Sequence, residues 1–245
     1  MSTAALMMRS SASVETSSSC NDVEMQVPTT SMHDVVRLNN QGVALVFQHQ
    51  DDQAVACFSK ALGVLKQQLL VDDSDQEQET EFSSVLHQAL VPLHELQTED
   101  FFLYHGMVTF AENDDTRLRH SDYHVYCASI ILNIALLYHR QAASPFSYSE
   151  EALAKAERFY TMVSKVLGDA ANYGTALVVK LGAINNMAGI RLEKLQDAAD
   201  SFQTITWLVS ESEQDDSCCL QTSVLEGMLL NALVANRPRV AAPAA

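Results

Sequence analysis

Outside one long insert, apolar residues in this chain recur at steps of three and four rather than two, and this spacing constrains the fold more than any other feature. Ala54, Val55, Phe58, Ala61, Leu62, Leu65 and Leu69 all fall on one face of a helix at that period. Tyr126, Ile130, Ile131, Ile134, Ala135 and Tyr138 form a second stripe, and Leu153, Ala156, Phe159, Tyr160, Val163, Val166 and Leu167 a third. Breakers are scarce: 8 glycines and 5 prolines in 245 residues do not supply the turns that many short strands require. With 47% apolar residues and only 7% aromatic, the expected core is helix on helix, filled by Leu, Val, Ile and Ala. The fold class expected is all-α.

Cap residues divide the helical stretches. Ser31 stands as an N-cap with Asp34 three residues on, and predicts a helix to about Gln48. Asp51 or Asp52 caps the next helix after only a few residues, so the two must fold back as an antiparallel hairpin. Ser121 or Asp122 is the expected cap of a helix to about Gln141. Ser147 and Glu150 form an S-x-x-E box for its partner, which Gly168 ends. A third pair is expected from about Tyr173 to Leu192 and from about Asp197 to Ser210, and a last helix from about Leu220 to Ala235 stops before Pro238.

The resulting organisation is a disordered Ser/Thr-rich tail over 1–30, a helical domain over 31–235 and a flexible tail over 236–245. An irregular acidic insert at about 71–120 interrupts the domain. Within it a short helix is expected from Phe82 to about Leu90, stopped by Pro92. Phe101–Phe110 (FFLYHGMVTF) is aromatic and β-branched and reads as extended.

Self-comparison relates the three hairpins. LNNQGVAL (Leu38–Leu45), LNIALLY (Leu132–Tyr138) and INNMAGI (Ile184–Ile190) each place Asn just before a small residue in an apolar run. In the first hairpin the second helix answers with Ala54, Phe58 and Ala61, and in the third with Ala198, Phe202 and Ile205. Small residues let two helices approach, and the bulky one fills the gap. QGVALVFQHQDDQAVACFSKAL, with Gly42, Leu45, Ala54, Phe58 and Ala61, resembles the tetratricopeptide repeat (TPR). The second unit is similar through Ala135, Tyr138, Ala152 and Ala156, with Phe159 where the family usually has Ala, and the third through Ala188, Ala198 and Phe202. The order of repeat, insert and C-terminal helix also looks similar to short uncharacterised TPR-like proteins.

The resemblance implies about three antiparallel hairpins in an α-α superhelix, with a concave groove lined by the first helix of each pair. Carried over position by position, the groove residues are Val36, Asn39, Val43 and Val46 from the first unit, Leu132, Leu136 and His139 from the second, and Asn185 and Leu192 from the third. Such a surface suits an apolar or basic peptide or helix of a protein partner. The alternative is a structural subunit whose groove is filled by its own insert or C-terminal helix. Asn39 and Val43 stand where the chaperone-tail binders of the family carry a clamp of Lys and Asn, so that kind of partner is not implied. The adjacent asparagines Asn39, Asn40, Asn185 and Asn186 either orient a ligand or satisfy main-chain groups between helices.

Charge narrows the partners further. Asp and Glu total 31 against 15 Lys and Arg, a net charge of −16, which disfavours nucleic acid and anionic membrane surfaces. Asp72–Glu81 and Glu211–Asp216 concentrate the acids, as solvated loops or as docking sites for a basic segment. Five cysteines without a CxxC, and no secretory signal, point to reduced thiols in the cytoplasm or nucleus, with Cys57 and Cys127 as small core residues. The first fourteen residues contain Arg9 and no acid, so an organelle-targeting peptide is the alternative to a plain tail. Phosphate-binding, nucleophile-elbow and zinc-protease motifs do not occur, and no cofactor or catalysis is expected. His120, Asp122 and His124 are the one compact ligand-like group, set against a helix start where Asp is a natural cap.

Overall fold

The computed structural model describes residues 31–71, 88–92, 101–111, 120–143, 148–168, 174–212 and 222–235. The two expected tails and the acidic stretch Asp72–Glu81 lie outside them. Among the described residues the chain forms seven helices and a two-stranded sheet: α1 Met32–Phe47, α2 Asp51–Val71, β1 Gln88–Pro92, β2 Gly106–Phe110, α3 His120–Ala142, α4 Glu150–Leu167, α5 Gly174–Glu193, α6 Ala199–Ser212 and α7 Thr222–Ala235. The protein is thus mostly helical, as the period of its apolar residues dictates.

Local chemistry sets the helix ends. The Asp34 carboxylate accepts the Ser31 N–H at 3.1 Å, as the expected capping pair requires. Gly168 adopts φ +58°, a left-handed conformation open to glycine at little cost, and its N–H bonds back to the Ser164 carbonyl. Three expectations shift. α3 starts at His120, so Ser121 and Asp122 lie inside its first turn rather than before it. Ser149 caps α4, its hydroxyl accepting the Ala152 N–H at 3.2 Å, while the expected cap Ser147 lies outside the described residues. Gln88–Leu90, expected at the end of a short helix, is strand, because β2 offers this segment a hydrogen-bonding partner that local propensity cannot foresee.

The hairpin joints repeat. His49 and Leu195 both have φ of 56°, and in each joint the next N–H reaches back five residues, Gln50 to Leu45 and Gln196 to Arg191. The same motif therefore closes the first and third hairpins. Arg140 joins the first hairpin to the second. Its guanidinium, buried, donates to the Val46 carbonyl at the C-terminal end of α1 and pairs with Asp51 at the N-terminal end of α2. The Val46 carbonyl also accepts the His49 N–H, and Gln141 adds a second bond to Asp51 at 3.0 Å, so α3 is tied to both helices of the first hairpin.

Consecutive helices lie against one another from α1 to α7, except that β1 and β2 intervene in sequence between α2 and α3. β1 and β2 pair antiparallel, with Leu90 opposite Val108, and β2 rests on α1 and α3. The small-large seams are buried: Ala54, Phe58, Ala61, Ala135, Ala156, Ala188 and Phe202 are fully enclosed. A β-carbon on Gly42 would stand 2.6 Å from the Phe58 ring, so glycine there is what admits the ring. Ala152 and Ala198 are buried too, Leu45 lies half-buried against the core, and Tyr138 stacks on Phe159 at 5.7 Å between centroids. Cys57 and Cys127 are free thiols and only partly buried rather than core residues; Cys127 packs against the core, and burial pushes its thiol up. No described helix is long and apolar enough to cross a membrane.

Candidate binding groove

The odd-numbered helices carry asparagines at matching depth, and these converge on one stretch of extended chain. Asn40 on α1 accepts the Phe110 N–H at 2.9 Å and donates to its carbonyl at 2.7 Å. Asn133 on α3 does the same for Val108, both at 2.8 Å, while Asn39 adds a bond to the Val108 carbonyl at 2.9 Å. Asn186 on α5 accepts the Tyr104 N–H at 2.7 Å and donates to its carbonyl at 2.6 Å. Asn231 on α7 accepts the Phe102 N–H at 3.0 Å and shares its carbonyl with Asn185, at 2.7 and 2.8 Å.

The reason for asparagine is geometric. A carboxamide presents one acceptor and one donor side by side, and an extended residue presents one N–H and one C=O to the same edge. Each asparagine therefore substitutes for a residue of a neighbouring strand. Alternate residues 102, 104, 108 and 110 point their polar edge at the helices, and the intervening Thr109 and Met107 face Ala89 and Val91 of β1. Two cross-bonds, Asn133 to Asn39 and Asn231 to Asn185, both 2.9 Å, tie the ladder across helices.

Glycines make room for the rings of this segment. A β-carbon on Gly182 would lie 2.5 Å from the Tyr104 ring, one on Gly227 2.5 Å from Phe102 and one on Gly189 2.9 Å from Phe101. The groove is thus shaped to FFLYHGMVTF by backbone-reading amides and missing side chains together.

Tyr160 on α4 extends the ladder. Its hydroxyl accepts from Asn186 Nδ2 at 3.0 Å and lies 3.1 Å from His139 Nδ1. Donation of the phenol's own proton to Nδ1 gives that enclosed hydroxyl a partner for both roles, and on this ground we assign the histidine proton to Nε2. Burial lowers the His139 pKa from 6.5 to about 4, so the ring is neutral near pH 7. Burial also raises both Tyr160 and Tyr104, and the Tyr104 hydroxyl is enclosed without a hydrogen-bond partner.

The nine residues expected to line the groove divide three ways. Val36, Val43, Val46, Leu132 and Leu136 are buried in the core that also contains β2. Asn39 and Asn185 hold the inserted segment. His139 and the half-buried Leu192 line a cavity of about 440 Å³ beside Phe101 and Leu103. Sequence reasoning passed over Asn231, although Leu230–Leu233 (LNAL) repeats the apolar-Asn-small pattern of the earlier helices. Of the His120, Asp122 and His124 group, the side chains of His120 and Asp122 lie outside the described residues.

No protein-family model matches the chain, and no curated protein or solved structure matches it either.

Proposed function

We propose that this protein is a non-catalytic interaction scaffold of TPR-like helical hairpins whose concave groove is filled by its own insert, so that it serves as a structural subunit rather than as an open peptide receptor. One observation carries the reading: the asparagine ladder engages the main chain of Phe102, Tyr104, Val108 and Phe110 from four successive odd helices. The small-large seams and the matched joints at His49 and Leu195 support the repeat character. The asparagines of the groove are engaged with main chain or with each other, an arrangement that holds structure rather than activating a nucleophile. Protein partners then meet the outer surface, where Trp207, Leu230 and Leu233 are at least half exposed. A net charge of −16 keeps nucleic acid and anionic membranes outside the partner class, and reduced thiols suit the cytoplasm or nucleus.

Val43→Asp and Leu136→Asp test the filled groove. Both residues are within 3% of full burial, so an unpaired carboxylate there unfolds the protein, seen as loss of the far-UV helix signal. A folded variant that has lost a partner retained by the wild type would show the groove to be open and this reading to be wrong.

A further inference from the structure

Among the described residues, the threaded segment Phe101–Phe110 does not fill the whole concave side. Between the C-terminal ends of α3, α5 and α7 and the start of α4 remains the cavity of about 440 Å³, a size within the roughly 300–1,000 Å³ of small-molecule sites. Phe101, Leu103, Leu153, Leu192 and Val234 form an apolar wall, and Phe101 and Leu103 belong to the threaded segment itself. The lining also includes Ala143, Tyr148 and Glu193, all exposed, so the cavity has a mouth to solvent.

One polar group inside is set apart. His139 is only 4% exposed yet lines the cavity. Its Nδ1 is engaged by Tyr160, so Nε2–H is a donor at the wall of an apolar space. With no protein acceptor bonded to it, this donor faces the cavity, where a ligand acceptor can take the place of water at a fixed position. Glu193 at the mouth and the net charge of −16 oppose an anion, while a fixed N–H donor inside opposes a cation.

We propose that this cavity binds a neutral, largely apolar small molecule that carries one hydrogen-bond acceptor, which takes the proton of His139 Nε2. The ligand would continue a line of hydrogen bonds running from the Tyr104 main chain through Asn186 and Tyr160 to His139, with no bond made or broken. This site is separate from the filled part of the groove and adds a ligand to the scaffold.

Nile red, a neutral aromatic dye with a carbonyl acceptor, is the probe, titrated against the full chain by fluorescence. Saturable one-site binding is expected. Ala143→Trp fills the mouth from an exposed position and should weaken binding at least roughly tenfold while leaving the far-UV signal and Tm unchanged. His139→Phe should weaken it roughly 2- to 12-fold, the effect of one net hydrogen bond. If His139→Phe does not fold, the Nε2 resonance of isotope-labelled wild-type protein reports the same contact, and it should move on dye binding. An anionic naphthalenesulfonate dye should bind at least roughly tenfold more weakly than Nile red. Non-saturating binding, or binding unchanged in Ala143→Trp, places the dye elsewhere on the surface and overturns the proposal. Binding that appears only after residues 93–100 are deleted would show that the chain's own segment occupies the cavity, and equal binding of the sulfonate would refute the neutral class.

Discussion

Replacing Asn186 by leucine, close in volume but without polar atoms, removes one rung of the ladder. Asn186 Oδ1 accepts the Tyr104 N–H at 2.7 Å, and its Nδ2 donates to the Tyr104 carbonyl at 2.6 Å and the Tyr160 hydroxyl at 3.0 Å. Tyr104 is 2% exposed and Asn186 is fully enclosed, so water cannot replace the lost partners. Each buried group left unmatched costs about 1–3 kcal/mol, so the N–H and C=O together lose about 2–6 kcal/mol. Leucine recovers roughly 1–2 kcal/mol through its extra apolar surface. The net expectation is a destabilisation of about 1–4 kcal/mol, or a Tm lower by roughly 2–16 °C for a domain of this size. Urea unfolding followed by far-UV circular dichroism measures it, with the exposed Gln203→Leu on α6 as a control expected to stay within about 0.5 kcal/mol. Asn186→Asp should do worse, since it keeps the acceptors, loses the donors and buries a charge. An Asn186→Leu midpoint within about 0.5 kcal/mol of wild type would mean that Tyr104 is not held as described, and the ladder argument would fail.

Other consequences are equally specific. Gly182→Ala drives a methyl against the Tyr104 ring, 2.5 Å away, and should cost about 1–3 kcal/mol by overpacking in chemical unfolding. His139 makes stability depend on acid. Its folded pKa of about 4 lies below the ordinary 6.5, so the unfolded chain binds the proton first, and stability present above pH 6.5 falls as pH drops toward 4. The gap corresponds to up to about 3 kcal/mol, and His139→Gln should flatten the stability profile across that window. Leu195 is 92% exposed with φ +56°, a conformation that strains a leucine, so Leu195→Gly should raise stability by up to about 1 kcal/mol in the same assay.

Much of the helical fold was legible because its signals are local. The three-four period of Ala54, Phe58, Ala61 and Leu65 needs only neighbouring residues to be read, as do the Ser31–Asp34 pair and the Gly168 stop. The insert was harder. FFLYHGMVTF announced its extended form through composition, but its position depends on contacts with Asn186, 82 residues away, and Asn231, 129 residues away from Phe102. Nothing in a period or a propensity encodes such pairings. Gln88–Leu90 illustrates the same limit, since its strand form exists only because β2 lies beside it. The apolar residues Val43 and Leu136 pointed to an occupied groove, and apolarity alone does not distinguish an external peptide from the protein's own chain. The paired asparagines left both options open as well, because a carboxamide reads any main chain alike.

An isotope-edited nuclear Overhauser spectrum of the full protein tests the filled groove most directly. Cross-peaks are predicted between the Tyr104 ring and the Gly182 α-protons, and between the Phe102 ring and those of Gly227, since both rings sit where a β-carbon would be. Random-coil shifts for Phe101–Phe110, with neither set of cross-peaks, would show the segment free of the helices and contradict the account.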